Sequence, residues 1–169
     1  HMPWASRPVR TDAYVVRSGN GASEAADPTY YVPNEYLSIF VKVTKYKYKY
    51  RGLLLHAVNN KGENVGEWAL PQNEKRAFWH PPICSSVGGE KKVVLHNQAA
   101  EKLYTMQFIF VAPPAGTGAI TFRTLIKEGP ANEGAFYFPQ KDLVLREQVS
   151  STDDSTAAVW NVAKFGQSC

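Results

Sequence analysis

From Ala13 to Phe138 the chain repeats one pattern: a short run rich in Val, Ile, Leu, Tyr and Phe, then a cluster of Gly, Pro or Asn. Short runs of β-branched and aromatic residues, bounded by residues that tolerate φ > 0 or fix a bend, read as strands and turns. The predicted strands are 13–17, 36–44, 50–58, 67–70, 76–79, 91–96, 103–111, 119–127 and 135–138. Turn signals stand at Ser18-Gly19-Asn20-Gly21, Asn59-Asn60-Lys61-Gly62, Val87-Gly88-Gly89 and 113–118. No stretch before residue 140 keeps a helical apolar period, and no helices interleave the strands, so the sheets are expected to be antiparallel and stacked face to face. The expected fold is all-β, an immunoglobulin-like antiparallel β-sandwich of about eight to nine strands.

One stretch breaks phase. Leu37, Ile39, Val41 and Val43 put apolar side chains on odd positions, whereas Tyr46, Tyr48 and Tyr50 put aromatic ones on even positions. A strand cannot change faces without a bulge or a loop. A bulge or exposed loop is therefore expected near Thr44 and Lys45, with the Lys-Tyr alternation on a protruding edge.

After residue 147 the character changes. Ser150 to Ser155 is polar and acidic, and Ala157 to Phe165 regains apolar residues. Trp160 and Phe165 are costly to leave in water, so 148–169 reads as a polar linker and a terminal segment that docks on the domain formed by 12–147.

A length of 169 residues fits one domain able to bury a core, and 44% hydrophobic with 20% charged residues argues against wholesale disorder. No apolar run approaches the roughly 20 residues that cross a bilayer, and no segment has the pattern of a signal peptide. The opening His1-Met2 reads as a cloning remnant, and the native precursor is expected to carry sequence beyond this chain. Cys84 and Cys169 leave a choice between one disulfide and two free thiols. A bridge between them would close a loop worth about 4 to 5 kcal/mol in chain entropy, as an upper figure.

The formal net charge is only +4, yet Lys42, Lys45, Lys47, Lys49 and Arg51 fall within ten residues. Lysines on alternate positions of an extended chain project one way at intervals of about 6 to 7 Å, a spacing that suits successive sulfates or carboxylates of a linear polyanion. The competing explanation is a strand edge guarded against aggregation by its lysines. Nucleic acid fits less well, because the run lacks a separate stacking platform and the net charge is low.

Catalytic chemistry finds little support. His56, His80 and His96 stand in no metal-binding spacing, and His80 with Cys84 supplies two ligands where zinc needs three or four. No nucleophile-elbow pattern is present, and Gly116-Thr117-Gly118 lacks the lysine and the helix of a phosphate loop. The carboxylates Asp153 and Asp154 sit in a polar tail where solvation accounts for them. No enzyme activity, cofactor or metal is expected.

Several landmarks, in order, resemble the reeler domain found at the amino terminus of reelin and F-spondin. They are Tyr50-Arg51-Gly52-Leu53, Val65-Gly66-Glu67-Trp68, Cys84 after a proline pair, Val94-Leu95-His96-Asn97, and the run from Phe110 through Ala112-Pro113-Pro114-Ala115-Gly116-Thr117-Gly118. The resemblance spans about residues 12 to 147. Gly52 is expected to allow a close backbone approach or an unusual φ, and His96 to fix a strand end by hydrogen bonding.

The resemblance implies a variant immunoglobulin-like sandwich in a secreted protein, or on the extracellular face of a membrane protein. Reeler-containing proteins are associated with matrix adhesion, heparin binding and invertebrate immune recognition. Where Phe110 stands the family often has tryptophan, and a second disulfide of F-spondin-like members maps roughly to Ala119 and Leu145, so both halves are missing together. Cys84 matches a family cysteine whose usual partner lies near the amino terminus, which implies that Cys169 substitutes for it.

The sequence therefore points to a non-catalytic recognition or adhesion module. It would bind sulfated glycan, microbial polysaccharide or a cell-surface or matrix protein, without nucleic acid and without inserting in a membrane. The alternative is a structural module packed in a larger membrane or adhesion assembly.

Overall fold

The computed structural model describes residues 8–19, 29–45, 49–69, 78–79, 91–96, 101–102, 104–129 and 135–148. These form twelve strands and no helix: β1 (Val9–Thr11), β2 (Tyr14–Gly19), β3 (Tyr30–Tyr31), β4 (Tyr36–Val43), β5 (Gly52–Val58), β6 (Glu67–Ala69), β7 (Phe78–Trp79), β8 (Val93–His96), β9 (Thr105–Val111), β10 (Ile120–Lys127), β11 (Phe136–Pro139) and β12 (Leu143–Glu147). The nine runs predicted from alternation are β2 and β4 to β11, with ends shifted by at most two residues wherever both ends are described.

Three strands went unpredicted. β1 and β3 have three and two residues, too short for any alternation to register, and Leu-Val-Leu-Arg-Glu of β12 lacks a clean period of two. Two of the added pairings, β1 with β11 and β3 with β12, are parallel, which corrects the purely antiparallel expectation. Both lie at the margin of a sheet whose interior is antiparallel.

One sheet has the order β2-β4-β9-β6. The other has the path β1-β11-β10-β5-β8-β7, with β12 pairing β10 beside β11 and β3 pairing β12. Between the pairs Ile126↔Tyr137 and Phe122↔Leu143, β10 advances four residues (126 − 122) and its partner six (143 − 137). The segment 140–142 takes up the two extra residues as a protrusion between β11 and β12.

Inward residues alternate along each strand, as the pleat requires. From the four-stranded sheet come Ile39, Val41, Trp68, Phe108 and Phe110; from the larger one Leu53, Leu55, Ile120, Phe122 and Ile126. The rings of Trp68 and Phe110 are 4.7 Å apart, those of Phe110 and Phe122 5.0 Å, and those of Trp68 and Phe122 5.9 Å. This triad links the layers, each ring pair adding about 0.5 to 1.5 kcal/mol beyond the area it buries. Phe110 is fully buried, and Leu145 fills the core beside Ile120, its partner across β10 and β12.

Two landmark glycines differ. Gly66 adopts φ 72° with its Cα against the Phe110 ring, a place where no side chain fits. Gly52 is an ordinary strand residue opposite Lys127, outside the set of positive-φ residues, so the unusual-φ expectation is not met there. β9 stops at Val111, and Pro113 and Pro114, which lack the N–H groups a ladder needs, follow it.

Candidate cationic site

β4 lies inside the four-stranded sheet, between β2 and β9, and β5 lies inside the other, between β10 and β8. The chain from Thr44 to Arg51 therefore crosses from one layer to the other. That crossing explains the phase break: Leu37, Ile39 and Val41 face the core from one side, and Tyr50, fully buried, faces it after the crossing. Thr44 and Lys45 are exposed, as expected; the Lys-Tyr alternation expected on a protruding edge runs through residues 46–48, outside the described residues, and neither flanking strand, β4 or β5, is an edge strand.

Backbone bonds fix both ends of the crossing. The Thr44 N–H donates to the Ala13 carbonyl (2.8 Å), the Arg51 N–H to the Lys127 carbonyl (2.9 Å) and the Lys102 N–H to the Tyr50 carbonyl (2.8 Å). Lys45 Nζ lies 2.7 Å from Asp12 Oδ1, with the two side chains 51% and 70% exposed. Lys49 Nζ lies 3.2 Å from Glu101 Oε1 and 4.5 Å from the centre of the Tyr104 ring. Hydrogen bonding and charge from Lys45 hold the Asp12 carboxyl below its usual range.

Lys42 sits one step back on β4, between Val15 and Thr105, on the face away from the core. Lys47 lies outside the described residues. The fold adds two cations that the run does not contain. Lys102 is buried beneath the crossing, and Lys127 ends β10, its Nζ donating to the Gly129 carbonyl (3.1 Å). Both come from distant sequence, so only the strand pairing could have revealed them. Among the described residues the crossing pairs Lys45 with Asp12 and Lys49 with Glu101, and backbone bonds tie Arg51 to Lys127 and Lys102 to Tyr50.

The other candidates have structural roles or lie elsewhere. His56 Nδ1 is 2.7 Å from Asn64 Oδ1, and burial is the main cause holding its pKa below the usual value, with the nearby Arg123 charge adding to it. The Gly116-Thr117-Gly118 turn already holds a carboxylate: the Gly116 and Gly118 N–H groups donate to Glu147, each at 3.0 Å. The Tyr31 hydroxyl donates to the Gly118 carbonyl (2.6 Å), and burial beside Glu147 raises its pKa. Among the described residues no three His, Cys, Asp or Glu side chains gather as metal ligands. Cys84, Cys169, His80, the His96 side chain and 149–169 lie outside the described residues, and with them the expected bridge, the strand-end bond and the docking tail. No helix of the described residues is long and apolar enough to cross a membrane.

Three solved structures share this architecture. The human F-spondin reeler domain (fragment 1) is 19% identical with a TM-score of 0.63, the match covering 84% of this chain and 92% of that one. The Reelin-N domain of F-spondin is 19% identical with a TM-score of 0.64, covering 85% and 91%. A second fragment of the human F-spondin reeler domain is 18% identical with a TM-score of 0.62, covering 86% and 94%. At these identities the likeness concerns the fold. Among curated proteins no sequence matches. The family model described as the Reeler domain matches residues 20–152, well over half of the sequence, and the chain belongs to that family.

Proposed function

We propose that this reeler domain is a non-catalytic extracellular recognition module that binds linear sulfated polyanions at the crossing between its two sheets, through Lys45, Lys47 and Lys49 with Lys42 and Arg51. One observation carries the reading: the described cations Lys42, Lys45, Lys49 and Arg51 lie where the chain passes between layers, flanked by strands already paired on both sides. β4 and β5 are interior strands and need no lysines to guard an edge, which favours ligand binding over edge protection. The two carboxylates that meet Lys45 and Lys49 do so in exposed ion pairs, and such pairs contribute about 0 to 1 kcal/mol, so a polyanion can displace them at little cost. The face-to-face layers support the finer reading of the fold as a variant immunoglobulin-like sandwich.

The test is retention on immobilised heparin across a salt series. The wild type should be retained at low salt and released as screening shortens to about 8 Å near physiological ionic strength. Replacing Lys45, Lys47 and Lys49 together by Ser should abolish retention and leave the melting temperature nearly unchanged. Equal retention of both proteins, or a wild type that passes through at low salt, overturns the proposal.

A further inference from the structure

The larger sheet gives one face to the core and turns the other away from it. On the outward face an apolar row crosses four strands: Phe138 of β11, Leu125 of β10, Leu54 of β5 and Leu95 of β8. Leu125 pairs with Leu54 and Leu54 with Leu95, and Phe138 follows Tyr137, the partner of Ile126, which sets it beside Leu125. With strands about 4.8 Å apart the row is about 14 Å long. All four side chains are partly exposed, whereas their strand neighbours Leu53, Leu55 and Ile126 are buried on the inner face. Val144, opposite Thr121, extends the same face and is half exposed. Apolar side chains gathered on one face in this way mark a surface that a partner covers.

Two exposed arginines border the row: Arg123, two residues before Leu125, and Arg146, two residues after Val144. Among the described residues neither guanidinium meets a carboxylate. Asp142, beside them on the protrusion, is taken by Arg10, with Nη1 2.9 Å from Oδ1 and Nη2 3.2 Å from Oδ2. The face thus asks for an occupant that is acidic at one end and apolar at the other.

We propose that the chain's own terminal segment, 149–165, folds back over this face, with Asp153 and Asp154 at Arg146 and Arg123, and Val159, Trp160 and Val162 over Leu125 and Leu54. The place where the chain leaves the sheet selects it. The Gln148 N–H donates to the Tyr31 carbonyl (2.9 Å), three residues past Leu145 (148 − 145), which pairs with Ile120. Arg123 lies three residues from Ile120 in the other direction (123 − 120) and Leu125 five (125 − 120). At roughly 3.3 Å per residue they stand about 20 and 26 Å from the exit. Asp154 follows Gln148 by six residues (154 − 148) and Trp160 by twelve (160 − 148), enough extended chain for about 20 and 40 Å. The acidic pair therefore reaches the arginines, and the apolar run the leucines, in the order in which the face presents them. Tethering also holds the segment at an effective concentration on the order of millimolar, an advantage that neither a second copy nor a separate protein has.

The full chain labelled at its leucine methyl groups tests this through nuclear Overhauser cross-peaks to the Trp160 indole. Cross-peaks should join Trp160 to the Leu54 and Leu125 methyls and persist unchanged on dilution. Trp160→Ala should shift those methyls and leave that of Leu37, buried in the smaller sheet, in place. Arg123→Glu combined with Arg146→Glu should cause loss of the cross-peaks, and the amide spectrum reports whether each variant is folded. The Lys45, Lys47, Lys49 to Ser variant should keep them, which separates this docking from the polyanion reading. Leu54 and Leu125 methyls that do not move in folded Trp160→Ala overturn the proposal, as do cross-peaks that survive in the folded double arginine variant. Cross-peaks that fade on dilution overturn it too, and make a second copy the occupant.

Discussion

At the scale of single residues, the clearest constraint is at Gly66. A Cβ there would lie 2.2 Å from Phe110 Cζ and 2.8 Å from the Val111 carbonyl oxygen, and φ is 72°. Alanine must therefore adopt a left-handed backbone and also displace a ring of the central aromatic triad. Gly62 is a natural control, since its φ is 79° but nothing lies within 4 Å of an added Cβ. Gly66→Ala should cost about 2 to 4 kcal/mol, against about 1 kcal/mol for Gly62→Ala. Urea unfolding of both decides it, and equal losses would mean that the ring contact contributes nothing. The sequence made Gly66 visible as a landmark, but its physical reason comes from Phe110, 44 positions further along (110 − 66).

At the scale of elements, the interior strands were legible because their apolar residues form runs bounded by turn residues; β9 and β10 bury alternate residues, whereas β4 is buried without a break from Leu37 to Val41. β4 and β5 could be placed to within two residues. β1, β3 and β12 were not legible, since their stability comes from neighbours distant in sequence. The same reason hid the setting of the lysine run: alternation marked the phase break, but only the pairing of β4 with β9 and of β5 with β10 shows a layer crossing there.

β12 also has a specific fastening, in which Glu147 accepts from the N–H groups of Gly116 and Gly118 and lies 3.2 Å from the Tyr31 hydroxyl. Charge-assisted bonds of this kind are about twice as strong as neutral ones. Glu147→Gln keeps the shape but leaves one acceptor oxygen and no charge, and should lower stability by about 1 to 3 kcal/mol. Hydrogen exchange at the Gly116 and Gly118 amides should accelerate selectively. Unchanged exchange there would show that the turn holds itself without β12.

At the scale of the whole molecule, the two layers share one core, so titration of a group on either sheet acts on the stability of both. His56 lies on the larger sheet with its pKa held below the usual 6.5, first by burial and further by Arg123. The unfolded chain therefore binds a proton more readily than the native one, and stability must fall as pH drops through about 6.5. Asp12 acts lower on the scale. Its pKa is held below 3.8 by Lys45, so its contribution is present above that value and is lost as pH falls through the native one. Both groups weaken the fold on the acid side, in separate windows. Denaturant midpoints at pH 7.5, 6.0 and 5.0 should decline steadily in the wild type. His56→Gln, which can still bond Asn64 but does not titrate, should decline less over that interval, whatever the other histidines contribute to both proteins. Asp12→Asn, which lacks that contribution, should run parallel to and slightly below the wild type down to pH 5 and close the gap only near pH 4 and below. Parallel curves for His56→Gln and the wild type between pH 7.5 and 5.0 would show that the imidazole accepts its second proton in the folded state as freely as in the unfolded chain.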